Sequence, residues 1–72
     1  MRTTSELKDI VELGGGITID ASEKTTLELK EIAKLANSSG ATIIIRNTSV
    51  KTTSELKEIA KLAPGKVIFE IL

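Results

Sequence analysis

TTSELKEIAKLA, residues 52–63, decides the reading of this chain, because it is present three times. Residues 25–36 read TTLELKEIAKLA, and residues 3–14 read TTSELKDIVELG. Each copy leads into a short apolar run: ITI at 17–19, III at 43–45 and VIFEI at 67–71. Internal repetition is the first thing to settle in any sequence, because it sets the architecture. The chain is three copies of one helix-then-strand unit, read as a single domain over residues 1–72.

Each copy opens with a capping box. Thr3 is followed by Glu6, Thr25 by Glu28 and Thr52 by Glu55. In such a box the Thr hydroxyl accepts the amide three residues on, and the Glu carboxylate reaches back to the Thr amide. Three boxes at equivalent positions predict three helix starts. Apolar residues then recur at helical spacing: Leu7, Ile10 and Val11; Leu29, Ile32, Ala33 and Ala36; Leu56, Ile59, Ala60 and Ala63. That spacing draws one stripe along each helix. Leu13, Leu35 and Leu62 are expected to widen it, while Lys and Glu solvate the opposite face. The helices stop at Gly14-Gly15-Gly16, at Asn37 to Gly40 and at Pro64-Gly65, where Gly and Asn tolerate the left-handed conformation and Pro cannot continue a helix. The triple glycine is not a phosphate loop. Such loops run strand, glycines, helix, and this one leaves a helix for a strand.

Aligned, the strands are Ile17–Asp20, Ile43–Arg46 and Val67–Glu70. Alternation puts Ile17, Ile19, Ile43, Ile45, Val67, Phe69 and Ile71 on one face. Thr18, Asp20, Ile44, Arg46, Ile68 and Glu70 take the other. Strand–helix–strand succession implies parallel pairing. The middle strand is the most apolar, as a central strand should be. Order 1-2-3 also sets Arg46 between Asp20 and Glu70, and opposite charges across strands contribute roughly 0.2–1 kcal/mol each. The expected fold is therefore α/β: a three-stranded parallel sheet in order 1-2-3 with three helices on one face. Leu27, which replaces the Ser5 and Ser54 of the outer copies, is expected to be buried by a middle helix with two neighbours.

Composition excludes several functions. There are ten basic and ten acidic residues, one aromatic, no Cys and no His. Disulfides, thiol chemistry and imidazole catalysis are absent, and no Ser has a base beside it. Nucleic-acid binding normally needs a basic excess and stacking aromatics. No apolar run approaches the ~18 residues of a membrane span, and residues 1–6 show no apolar signal region. The expectation is a soluble protein, cytoplasmic if natural, with no enzymatic activity, no cofactor or metal, no nucleic-acid or membrane partner and no small-molecule substrate. A chain of this length buries only about 60% of the surface its unfolded form exposes, so self-association as a homo-oligomer is a natural supplement to its core.

Two surfaces are candidates for function. The strand C-termini and helix N-termini share an edge carrying Asp20, Ser22, Asn47, Thr48, Ser49 and the Thr pairs at 25–26 and 52–53. Helix dipoles there favour anions, but Glu28 and Glu55 are expected to occupy the amides already, so turn and cap chemistry accounts for the hydroxyls. Asn37-Ser38-Ser39 and Asn47-Thr48-Ser49 match the glycosylation sequon and read as turns. The second surface is the open sheet face and the edge of the third strand. Thr18, Ile44 and Ile68 are expected to face solvent in a monomer. They offer a two-fold, face-to-face contact. Antiparallel pairing of the third strand with its own copy about Ile68 would instead set Lys66 opposite Glu70.

With TTSELKDIVELG, TTLELKEIAKLA and TTSELKEIAKLA leading into GITIDAS, ATIIIRNTS and KVIFEIL, the chain resembles a short αβ solenoid of the leucine-rich-repeat type, although LxxLxLxxN is absent. It also resembles designed or consensus-idealised αβ proteins, and small bacterial proteins of unknown function built from helix–strand repeats. Repeated capping boxes, Lys/Glu helix surfaces and Gly or Pro at every helix exit are the shared features. The resemblance implies a structural scaffold without catalysis; the alternative, read from the residues, is a protein-interaction module that uses the open sheet face or the edge of the third strand.

Overall fold

A computed structural model of the chain describes residues 3–71. It alternates α1 (Thr4–Glu12), β1 (Ile17–Asp20), α2 (Thr26–Ser39), β2 (Ile43–Arg46), α3 (Thr53–Leu62) and β3 (Val67–Phe69), with single 3-10 turns at Ala21–Glu23 and Thr48–Val50. The sheet is parallel in order β1-β2-β3, and the helices lie on one face of it. Register pairs Ile17 with Ile43 and Ile43 with Val67, then Thr18 with Ile44 and Ile44 with Ile68.

All three capping boxes form, with Thr3, Thr25 and Thr52 as N-caps. The threonine that follows each of the first two caps does something the box does not require. Thr4 Oγ1 donates to Glu28 Oε2 at 2.5 Å, and Thr26 Oγ1 to Glu55 Oε2 at 2.8 Å. The Glu28 and Glu55 carboxylates thus each cap their own helix and tie it to the helix before. One turn on, Lys8 pairs with Glu31 at 3.2 Å and Lys30 with Glu58 at 3.0 Å. These exposed pairs contribute about 0–1 kcal/mol each, but both run from one helix to the next. At the far end of α1, the Ser39 hydroxyl donates to the Val11 carbonyl at 2.6 Å. The α2 exit is the left-handed Gly40, φ 80°.

The core is the packed stripe together with the inner sheet face: Val11, Leu29, Ile32, Ile59, Ile19, Ile43 and Ile45 are buried, with Ala33, Ala36 and Ala63 as small spacers. Leu7, Leu35, Leu62, Val67 and Phe69 pack around it.

Four expectations need correction. Leu27 is 67% exposed: at 100° per residue it stands about 200° round the helix from Leu29, opposite the stripe. Leu13 is 90% exposed; it is the C-cap of α1, past the end of the helix, where the stripe's periodicity no longer applies. Ile71 is 71% exposed, because β3 ends at Phe69 and alternation no longer applies. Arg46 lies opposite Asp20 in register, yet its Nε pairs with Glu70 Oε1 at 3.0 Å, while Asp20 turns back to its own chain and to Asn47.

Candidate functional site

The edge where the strands end is built from three short connections. Asp20 Oδ1 accepts from the Ser22 amide at 2.8 Å, the Ser22 hydroxyl at 2.6 Å and Asn47 Nδ2 at 3.3 Å. The Ser22 hydroxyl and amide, ahead of Asn47 and the Arg46 charge, hold the Asp20 carboxyl below its ordinary value. Asn47 follows β2 in the left-handed conformation, φ 56°, which a short polar residue tolerates better than a branched one. Thr48 is the one buried polar side chain among the described residues, and its Oγ1 donates to the Glu70 carbonyl at 2.9 Å. Around these atoms lies an open groove of about 810 Å³, whose walls include Arg46, Lys51, Glu23 and Glu70.

The helix N-termini on this edge offer few free amides. The Thr25 and Thr52 amides are held by Glu28 at 2.9 Å and Glu55 at 2.8 Å, so an incoming anion would compete with a carboxylate already in place. The Thr25 amide, then the Thr4 and Thr25 hydroxyls, depress the Glu28 carboxyl from its ordinary value near 4.5 to about 2. Glu55 is lowered in the same way by the Thr52 amide and the Thr26 and Thr52 hydroxyls. A depressed carboxyl contributes stability that is fully present above its unfolded value and is lost as pH falls through the folded one. Resistance to thermal unfolding is therefore expected to weaken progressively between pH 4.5 and about 2 for the Glu28 contribution, and a Glu28→Gln variant should flatten that decline. An unchanged acid profile in the variant would contradict these hydrogen bonds.

Thr48 supplies a second test. Thr48→Val keeps the shape but leaves the Glu70 carbonyl without its donor. Losing that hydrogen bond costs about 0.5–1.5 kcal/mol, so a lower thermal midpoint is expected, and no change would mean that water replaces the hydroxyl.

The open sheet face presents Thr18, Ile44 and Ile68 side by side in one row of the register. Thr18 is exposed, Ile44 half-buried and Ile68 50% exposed. Glu70 and Lys66 flank β3 in sequence, and both are also held by backbone pairing: the Ile43 amide donates to the Lys66 carbonyl at 2.8 Å and the Glu70 amide to the Ile45 carbonyl at 2.9 Å. The sheet thus gathers Thr18, Ile44 and Ile68 into one patch and places Lys66 and Glu70 along the margin of β3. The second threonine of the first two copies, Thr4 and Thr26, is what reasoning from sequence missed. A capping box uses one Thr, and the unexplained neighbour was the available signal.

No helix among the described residues is long and apolar enough to cross a membrane. No family model matches the chain, and neither a curated protein nor a solved structure matches it significantly.

Proposed function

We propose that this protein is a non-catalytic structural scaffold, idealised or designed around one αβ repeat, that self-associates through the open face of its sheet. The row Thr18, Ile44 and Ile68 carries the proposal: two isoleucines stand where no helix covers them. The near identity of the three copies supports idealised origin, because a repeated segment spent on caps, stripe and solvated face leaves no position for chemistry. A second reading, a protein-interaction module, is favoured by β3, which has β2 on one side only and so offers a strand edge to a partner.

Sedimentation of the wild type and of an Ile44→Arg, Ile68→Arg double variant over a wide concentration range separates these readings. Self-association lost in the double variant supports the scaffold. A wild type that is monomeric throughout removes it. An unchanged oligomer mass combined with loss of a bound partner protein selects the interaction module.

A further inference from the structure

The two helix–helix contacts of this fold are one contact used twice, and the residues of each of its halves recur on an outer helix, on the flank that faces no other helix. Thr4 and Lys8 of α1 meet α2 at Glu28 and Glu31, and Thr26 and Lys30 of α2 meet α3 at Glu55 and Glu58, while Val11, Ile32, Ala33 and Ile59, next along the same flanks, are buried in the shared core. On α3 the equivalents of Thr4, Lys8 and Val11 are Thr53, Lys57 and Ala60. On α1 the equivalents of Glu28, Glu31 and Ile32 are Glu6, Asp9 and Ile10.

Burial follows this pairing. Ile32 and Ile59 are fully buried, whereas Ile10, with no helix on that flank, is 38% exposed. Val11 and Ala33 are buried, whereas Ala60 is only partly so. Among the described residues, the Thr53 hydroxyl and the Lys57 and Asp9 charges meet no partner, in contrast to their counterparts in the two formed contacts.

The sheet leaves matching edges. β2 uses Ile43 and Ile45 to bond the carbonyl of Lys66 and the amide of Glu70, so alternation turns the backbone groups of Val67 and Phe69 outward. β1 likewise meets β2 through Ile17, whose amide donates to the Thr42 carbonyl, and turns those of Gly16, Thr18 and Asp20 outward. Placing β1 of a second copy beside β3 repeats the existing register, with Val67 against Ile17 and Phe69 against Ile19.

We infer that the α3–β3 flank of one copy docks on the α1–β1 flank of a second, in a head-to-tail contact that continues the repeat. This goes beyond the sheet-face contact proposed above: it is a second self-association, on a different surface, and does not depend on the first. A heterologous contact of this kind does not close on itself, so association proceeds beyond the dimer. One contact opposes it: Glu70 would lie level with Asp20 of the next copy, where β2 supplies Arg46. That like-charge pair keeps the association weak and provides its test.

Glu70→Lys turns this repulsion into attraction. Head-to-tail docking should tighten by about two- to thirtyfold, the swing expected when one cross-strand pair changes sign, with species larger than a dimer in sedimentation. Antiparallel β3–β3 pairing predicts the opposite, because Lys66 would then face the introduced positive charge across the strand pair. Should Glu70→Lys disturb the fold, Lys57→Glu and Asp9→Lys serve in its place. Each alone should associate several-fold more weakly than wild type, and an equimolar mixture should recover it. Association that stops at a dimer, is abolished by Ile44→Arg with Ile68→Arg and is not tightened by Glu70→Lys overturns the head-to-tail contact and leaves the sheet-face scaffold standing. Monomers throughout, in wild type and Glu70→Lys alike, overturn both.

Discussion

Ile32→Ala is expected to lower stability by about 2–5 kcal/mol, the cost of deleting a large buried aliphatic group and leaving a cavity. Ile32 is fully buried in the middle helix, on the flank that faces α1. A domain of 72 residues has roughly 4–11 kcal/mol in total, so the variant should sit near the edge of folding. With a denaturant slope near ~1 kcal/mol/M, the urea midpoint should fall by about 2 M or more. Ile10→Ala is the control. It removes the same atoms at the same repeat position, but from a side chain with one flank already in water, and should cost well under half as much. Equal midpoints for the two variants would contradict the placement of α1 beside α2.

Gly16→Ala should destabilise, although Gly to Ala changes often do the reverse. Removing a glycine stiffens the unfolded chain and contributes about 0.4–1 kcal/mol where the native backbone accepts a side chain. At Gly16 a Cβ would stand 2.9 Å from the Thr42 carbonyl oxygen. That atom belongs to the β1–β2 ladder, where it accepts the Ile17 amide at 3.3 Å, and it cannot swing aside as a side-chain end would. Forcing atoms into such a site costs about 1–3 kcal/mol, which exceeds the entropic gain. The thermal midpoint should drop by about 4–8 °C for each kcal/mol lost. A rise in midpoint would show that the two strands separate easily at this point.

Much of this fold is legible because the repeat writes each signal three times. Caps, stripes, strand alternation, parallel pairing and the order 1-2-3 all follow from aligned residues. Leu27 misleads when its substitution is read as a sign of burial without asking which way the position points; the angle from Leu29 decides it. Leu13 and Ile71 mislead because a periodic pattern is continued past the end of its element. The Thr4–Glu28 and Thr26–Glu55 bonds are not legible, since they depend on how far adjacent helices are staggered, which no single helix pattern contains. On the open face, alternation alone is enough to bring Thr18, Ile44 and Ile68 together. At the strand ends it is not, because Asp20 bonds nearby Ser22 in preference to the Arg46 charge across the sheet.

The shared carboxylates of Glu28 and Glu55 have a consequence for how the protein opens. An array of small repeats is prone to fray, unit by unit, from either end. Here the first turn of α2 cannot loosen without releasing Thr4, and that of α3 cannot loosen without releasing Thr26. Local order at a helix tip and docking between helices are thus a single event, and the amides of both first turns should exchange with solvent only in larger, cooperative openings. Three short helices, each marginal alone, are in this way bound into one unit of unfolding.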